Sequence, residues 1–377
     1  MFLTVLLVPL IECADVELLS TKGRFTGTIL ASTNALALKT SKGQMTFPLD
    51  ELVEIRFGKK PIEDYYERGI RLHNGDRLSG VISKLEKEKL NVVTDLFGLV
   101  AVPLTPLAGC DFRRTQIRHT KTSRKTHVRL ANGDALAGTL RWLDHANIGV
   151  KSSLGLVNVE RMRAVGITFA NSNRAPRPEG LLAVVRFRSG DRVTGRWSAF
   201  KEEQLYLTLP AIGEVHFPVA AVTAVLFTGG KSSFLSDMKE ASHESGTFVP
   251  GGLPRHFGKD MSWGGAPIMM GGRRFEKGIS QHSRSKLTYS LDGKSRTFHA
   301  IVGIDDEVSV MPGTGDAICQ VFVDGVKKFE QRVRQSEKFI EVNVEVSGAK
   351  KISLVTEFGE GGDTGDRVNW AMARIAR

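Results

Sequence analysis

The chain of 377 residues, 41% hydrophobic and 25% charged, is too long for one small core and too apolar for a disordered tract, so it holds two to four soluble folded domains. Its three cysteines, Cys13, Cys110 and Cys319, lie far apart and exclude both a disulfide framework and a metal-type Cys spacing. The net charge of +11 points to acidic partners such as nucleic acid, anionic lipid or acidic polysaccharide, although part of it is gathered in RRTQIRHTKTSRKTH (113–127), which has no apolar period and the character of a solvated linker.

The first residues, MFLTVLLVPLIECAD, carry an apolar run from Phe2 to Ile11 that is too short to span a bilayer. It has the length of a signal-peptide core, with Ala14 as a cleavage edge. No Lys or Arg precedes it, and Glu12 suits neither an A-x-A site nor a lipoprotein box. Residues 1–14 are therefore expected to be a signal peptide, its start either as given or misassigned, with a buried first strand as the alternative. Nothing else in the chain is a membrane-span candidate. The expected location is secreted or periplasmic, in the cell envelope.

A short phrase then recurs. KGRFTG (22–27), NGDRLSG (74–80), NGDALAG (132–138) and SGDRVTG (189–195) each end on a glycine flanked two residues away by apolar positions. These are Phe25-Gly27-Ile29, Leu78-Gly80-Ile82, Leu136-Gly138-Leu140 and Val193-Gly195-Trp197. Such period-two alternation places the glycine on the inward face of a strand, where the chain bends or another backbone comes close. The Asn/Ser-Gly-Asp before it supplies tight-hairpin residues. About 20 residues on, FPLDELVEIRF (47–57), VPLTPLAGCDF (102–112), VNVERMRAVGI (157–167) and FPVAAVTAVLF (217–227) align without gaps, apolar at offsets +2, +5, +8 and +10 if Cys110 counts as a small hydrophobe. The repeat predicts four β-modules, at 15–58, 66–114, 126–170 and 182–228. Polar stretches at 115–126 and 170–182, and the text change at 228–235, mark the boundaries.

Each module has a hairpin with a bent second strand, further strands, a one-turn connector and a closing strand, the anatomy of a small five-stranded SH3 or Sm barrel. The stretch VRLANGDALAGTLRWLDHANIGV (128–150) resembles the first Sm motif. That family uses an Asp and an Asn of this motif in a uridine pocket. Asp144 and Asn147 match them only in the third module, and Ser32/Asn34, Glu86 and Lys201 remove that chemistry from the others. Base-stacking aromatics are also missing from the strands, which argues against nucleic acid as a partner.

After Phe227 the phrase stops. Leu287, Tyr289 and Leu291 alternate, as do Val342, Val344 and Val346, with turns at Gly293, Gly325 and Gly348, as in a β-sandwich. FLSDM (234–238), DMSWGGAPIMMGGRRFEKGISQHS (260–283), LTYSLDGKSRTFHAIVGIDDE (287–307), VFVDGVKKFE (321–330) and VNVEVSGAKKISLVTEFGEGGDTGDRVNWAMARI (342–375) follow one another. In these, residues 229–377 resemble the NPCBM family of carbohydrate-binding modules, galactose-binding-like β-sandwiches often appended to secreted glycoside hydrolases. The fold class implied for the whole chain is all-β, with tandem SH3/Sm-like barrels followed by a galactose-binding-like jelly-roll sandwich.

The resemblance points to His282, to the corner Asp305-Asp306-Glu307, and to Arg367, Asn369 and Trp370 as carbohydrate-binding residues. The family's tail is roughly Asp-His-x-Asp-Trp where this chain has DRVNW, so Arg367 stands for the His and Asn369 for the Asp. Bland roles compete at each position: Trp370 as a core plug, His282 as a hydrogen-bonded strand end, the acidic corner as a simple turn. The loop GEGGDTGD (359–366) offers oxygens for a structural calcium, which some sandwiches of this type carry, but it lacks the oxygen spacing of an EF-hand and has the composition of a solvated loop. No cofactor is implied. Nucleophile elbows, zincin helices, P-loops and opposed carboxylate pairs are missing, so the chain is expected not to be an enzyme. Three functions remain: an exported protein binding carbohydrate, of galactose type, through its last module with the β-modules as spacer or platform; a cell-envelope assembly protein whose sandwich binds other envelope proteins; and, least favoured, a nucleic-acid binder.

Overall fold

The computed structural model describes residues 15–58, 68–113, 125–170, 179–249, 251–253, 255–310 and 315–377. The leader-like run at 1–14 and most of the two polar stretches at 115–126 and 170–182 lie outside the described residues. The chain forms two compact units, residues 1–228 and 229–377. Among the described residues there is no α-helix, and no helix is long and apolar enough to cross a membrane.

The first unit consists of four sets of five strands. They are β1 Asp15–Ser20, β2 Gly23–Ser32, β3 Ala35–Thr40, β4 Gly43–Pro48 and β5 Leu52–Phe57; β6 Gly69–Leu72, β7 Arg77–Glu86, β8 Lys89–Thr94, β9 Gly98–Pro103 and β10 Leu107–Asp111; β11 Thr126–Leu130, β12 Ala135–Leu143, β13 Asn147–Ser152, β14 Gly155–Glu160 and β15 Ala164–Thr168; β16 Leu182–Phe187, β17 Arg192–Lys201, β18 Gln204–Leu209, β19 Gly213–Pro218 and β20 Val222–Thr228. In every module the first four strands pair in succession and the fifth returns to pair with the first. One-turn connectors lie before the closing strand at Leu49–Glu51, Arg161–Arg163 and Val219–Ala221.

The second strand is the bent one. A Cβ placed on Gly27, Gly80, Gly138 or Gly195 would come closer than 3.0 Å to the carbonyl oxygen of the facing third strand, on Lys39, Val93, Lys151 and Thr208 respectively. Just beyond each glycine the register slips, between Ile29 and Ala31, Ile82 and Lys84, Leu140 and Trp142, and Trp197 and Ala199. A bulge at the same place in four modules raises the local twist and turns the strand across the core. The repeated apolar positions of modules 1, 2 and 4 line that core. In module 3 the gap-free alignment expected from the sequence is shifted by two residues: Ala164, fully buried, pairs with Leu130 as Leu52 pairs with Ser20, so Ala164 and not the exposed Met162 takes the place of Leu52, Leu107 and Val222. In the connector of module 3 Arg161 is the residue directed inward, 4.8 Å from the Phe112 ring centroid and donating to the Asp144 carbonyl at 2.8 Å.

The modules do not join in sequence order. Closing strands pair antiparallel, β5 with β20 and β10 with β15, which couples module 1 to module 4 and module 2 to module 3. Module 2 meets module 4 through their hairpins, where Arg77 pairs with Arg192. The series is thus 1–4–2–3. At the 2–4 contact the repeated phrase is reciprocal. The Asp76 carboxylate accepts from the Thr194 amide (2.8 Å), its hydroxyl (2.7 Å) and Arg192 Nη1 (2.6 Å), while Asp191 accepts from the Ser79 amide and hydroxyl, both at 2.7 Å.

The second unit contains β21 Ser232–Phe234, β22 Ser242–Ser245, β23 Gly258–Lys259, β24 Ile268–Met270, β25 Arg273–Phe275, β26 Gly278–His282, β27 Ser285–Ser290, β28 Thr297–Ile304, β29 Asp316–Val323, β30 Val326–Arg334, β31 Ile340–Glu345, β32 Lys351–Phe358 and β33 Arg367–Ala376. It is an antiparallel sandwich. One sheet runs β23-β26-β33-β28-β31, with β21 beside β33, and the other runs β22-β27-β32-β29-β30. The alternating residues Leu287, Tyr289, Val342, Val344 and Val346 are buried in the single core between them. The hairpin of β24 and β25 lies on the far side of the first sheet: a Cβ on Gly278 would meet Ile268, and one on Gly303 would meet Met270 and Phe339.

Candidate functional site

A set of paired buried polar groups fixes the strand ends that carry the site. Gln281 accepts from Trp370 Nε1 at 2.8 Å and from the Thr356 hydroxyl at 3.0 Å, and donates to Ser285 at 3.1 Å. Trp370 is fully buried. Its expected part in sugar contact is therefore corrected: it alternates inward on β33 and plugs the core, its one polar atom satisfied by Gln281.

The acidic corner after β28 is three anchors in a row. Asp305, buried, accepts from Asn369 Nδ2 at 2.5 Å, from the Glu307 amide at 2.9 Å and from the Met269 amide at 3.2 Å. Burial pushes its carboxyl above the usual range. Asp306 caps the hairpin turn, accepting from the amides of Gly271 (2.7 Å) and Gly272 (2.8 Å). Glu307 accepts from the Ser262 hydroxyl at 3.0 Å, the Gly264 amide at 3.2 Å and Arg367 Nη1 at 3.1 Å. Gly264 must be small for this, since a Cβ there would stand 2.5 Å from Glu307 Oε2.

The turn held by Glu307 presents Trp263. Its half-buried indole stacks on the exposed His256 ring (centroids 5.3 Å apart, planes at 19°) and donates Nε1–H to the His256 carbonyl at 3.1 Å. Arg367 lies 5.0 Å and Arg255 6.0 Å from the indole centroid, and the His282 ring meets it edge-on at 5.2 Å. Arg255 bonds His282 Nε2 at 2.8 Å with one nitrogen and Asp363 at 2.6 Å with the other. His282 Nδ1 lies 2.9 Å from the Ser283 carbonyl, so it carries the proton, and Nε2 accepts from Arg255. Burial, with the neighbouring positive charge of Arg255, lowers the His282 pKa and keeps the ring neutral.

Of the seven expected residues, the structure brings His282, Glu307 and Arg367 together around Trp263. Asp305 and Asn369 lie one layer beneath, Asp306 faces the hairpin turn, and Trp370 belongs to the core. Four residues at the site escaped the sequence reading: Trp263, His256, Arg255 and Asp363. The available signal was an indole before Gly-Gly in MSWGG, outside any alternating run. The acidic loop beside it is already engaged. Asp363 pairs with Arg255, Glu360 with Arg332 at 2.7 Å, and Asp366 accepts from the Asp316 amide at 3.0 Å and from Ser283. Among the described residues no group of three or more His, Cys, Asp or Glu side chains is placed to hold a metal ion.

The ring stack, two donor-rich guanidiniums and two carboxylates form a surface with both an apolar face and fixed polar groups. A Renibacterium salmoninarum protein named as an endo-alpha-N-acetylgalactosaminidase is 25% identical over 146 residues, 38% of this chain but only 10% of its own length. A CBM51 module from the Clostridium perfringens GH95 protein, solved with methyl-galactose, aligns at a TM-score of 0.34 and 24% identity, covering 38% of this chain and 99% of that one. The CBM51-2 and INT domains of Clostridium perfringens ZmpB, solved with GlcNAc, align at a TM-score of 0.35 and 25% identity over 46% of this chain and 36% of theirs. Residues 231–376 match the NPCBM/NEW2 domain.

Proposed function

We propose that this is an exported, non-catalytic protein that binds carbohydrate through residues 229–377, with the His256–Trp263 stack as the apolar platform. The observation that carries the reading is a half-exposed indole ringed by Arg255, Arg367, Glu307, His282 and Asp363, each held by a partner in the protein. Aromatic faces suit the C–H side of a pyranose, and preset donors and acceptors suit its hydroxyls. The family match at 231–376 supports the same reading. The two carboxylates beside the stack, Glu307 and Asp363, are each paired with an arginine. The leader-like first residues support export, and the bent, self-closing five-strand modules support small SH3/Sm-type barrels that space or present the terminal unit. A shallow site of this kind gives about 4–6 kcal/mol, a dissociation constant near millimolar to tens of micromolar. The test is titration of the full chain with galactose and N-acetylglucosamine by calorimetry. Trp263→Ala should abolish binding while the melting temperature stays within a few degrees. If neither sugar nor a glycan array shows binding to the wild-type protein, the carbohydrate reading falls.

A further inference from the structure

We propose that two copies of the chain pair edge to edge through β9, about a two-fold axis at Val100. The fourth strand is the open edge of every module: among the described residues β4, β9, β14 and β19 each pair with the third strand alone. An open edge is a template for another strand unless its side chains discourage it. The four edges differ in the solvent-facing side chains beside them. One row of that face runs across the second, third and fourth strands of each module. It reads Thr28-Lys39-Gln44 in module 1, Thr139-Lys151-Leu156 in module 3 and Arg196-Thr208-Glu214 in module 4. In module 2 it reads Val81-Val93-Leu99, which are 42%, 47% and 68% exposed. The next outward residue on the edge strand is Thr46, Asn158 or His216 in the other modules, and in module 2 it is Ala101, also exposed. No residue of β9 carries a charge.

The backbone of β9 supports the same choice. The Leu104 amide donates to the Glu88 carbonyl at 3.1 Å. In the antiparallel register of β8 and β9 this makes Leu90 with Val102, Val92 with Val100 and Thr94 with Gly98 the hydrogen-bonded pairs. The N–H and C=O groups of Leu99 and Ala101 therefore point away from β8. A second β9 laid antiparallel, Val100 opposite Val100, sets Leu99 against Ala101 on both sides of the axis. Each such pair exchanges both of its N–H···O=C bonds, so every outward amide of β9 finds a carbonyl, and Pro103 has no amide to cover.

The occupant is a second copy because this register makes the strand complementary to itself. The two Leu99 side chains meet diagonally across the axis, each flanked by Val93 of its own copy and Ala101 of the other. That covers the most exposed residue of the row. The contact is isologous and closes at two copies. The chain already joins its modules in this manner: Ile55 faces Val225 and Cys110 faces Ile167, equivalent positions of the closing strands, where β5 meets β20 and β10 meets β15.

The test is sedimentation velocity of the full chain over a concentration range reaching about 1 mM, the weak limit for a specific contact. Wild type should pass from monomer to dimer and no further. Ala101→Pro removes an amide that β8 does not use, and should weaken the dimer at least about tenfold. Leu99→Glu and Leu99→Lys should each be monomeric alone, because each sets like charges diagonally across the axis, and a mixture of the two should dimerise again. This pair of variants decides the matter should Ala101→Pro disturb the strand. Circular dichroism and melting of dilute Leu99 variants should match wild type, since that side chain is exposed. A wild type that stays monomeric throughout overturns the proposal, as does association that none of the variants changes, or a mixture that fails to recover.

Discussion

Replacing Asp76 with Ala tests whether the repeated phrase acts as a reciprocal fastening rather than as a turn alone. Asp76 is 5% exposed and receives the Thr194 amide, the Thr194 hydroxyl and Arg192. Its loss strands two polar atoms of a residue only 7% exposed, at about 1–3 kcal/mol each. Arg192, whose side chain is 20% exposed, can turn to water and recover part of that cost. The sum is about 3 kcal/mol, which in a unit of roughly 200 residues lowers the melting temperature by about 6–12 °C. The assay is calorimetric melting of dilute full-length protein, comparing Asp76→Ala with Asp134→Ala, the same position of the phrase in module 3. Asp134→Ala should stay within about 0.5 kcal/mol of wild type, since its partners lie within its own turn. Equal shifts for the two variants, or a fall below about 2 °C for Asp76→Ala, would refute the reasoning.

Gly138→Val would set a branched side chain 2.5 Å from the Lys151 carbonyl oxygen and 2.6 Å from the Val150 side chain, costing about 1–3 kcal/mol by thermal melting. Burial lifts the Asp366 carboxyl to about 6 from an ordinary 3.8, so the folded state holds this proton more tightly than the unfolded one. That contribution is fully present below about pH 3.8 and lost as pH rises through about 6. Moving from pH 7.5 to 5 should therefore stabilise residues 229–377 by about 1.4 kcal/mol through this group. Asp366→Asn should flatten the melting-temperature slope over that range, and an unchanged slope would remove Asp366 as its source.

Much of the fold is local enough to be written in short stretches. The four glycines announce themselves through their apolar neighbours two residues away, and the sandwich through runs such as Leu287-Tyr289-Leu291, because burial on one face of a strand imposes period two. Trp370 sits within such a run, and its burial follows the period. Trp263 does not, because a turn that presents a side chain to solvent imposes no period. Its support comes from Glu307, 44 residues away in the chain, through a contact that no spacing encodes. The order 1–4–2–3 was hidden for a related reason: closing strands pair through backbone amides and carbonyls, which every residue but proline supplies. Met162 shows the limit of counting apolar offsets. It matches the pattern in sequence, but the strand register of module 3 starts two residues later, so buried Ala164 holds the core position and Met162 falls in the exposed connector.

The pairing of β5 with β20 has a consequence for the chain as it is made. Module 1 is synthesised first, but the strand that covers its closing edge arrives about 170 residues later, a delay of roughly 10–35 s at ribosomal speed. During that interval β5 offers an open row of amides and carbonyls to any neighbouring nascent chain. The edge carries its own guard: Glu54 and Arg56, 2.9 Å apart, place both signs of charge on the strand that β20 will later cover. In the finished unit this ion pair lies at a covered seam where apolar residues would pack as well.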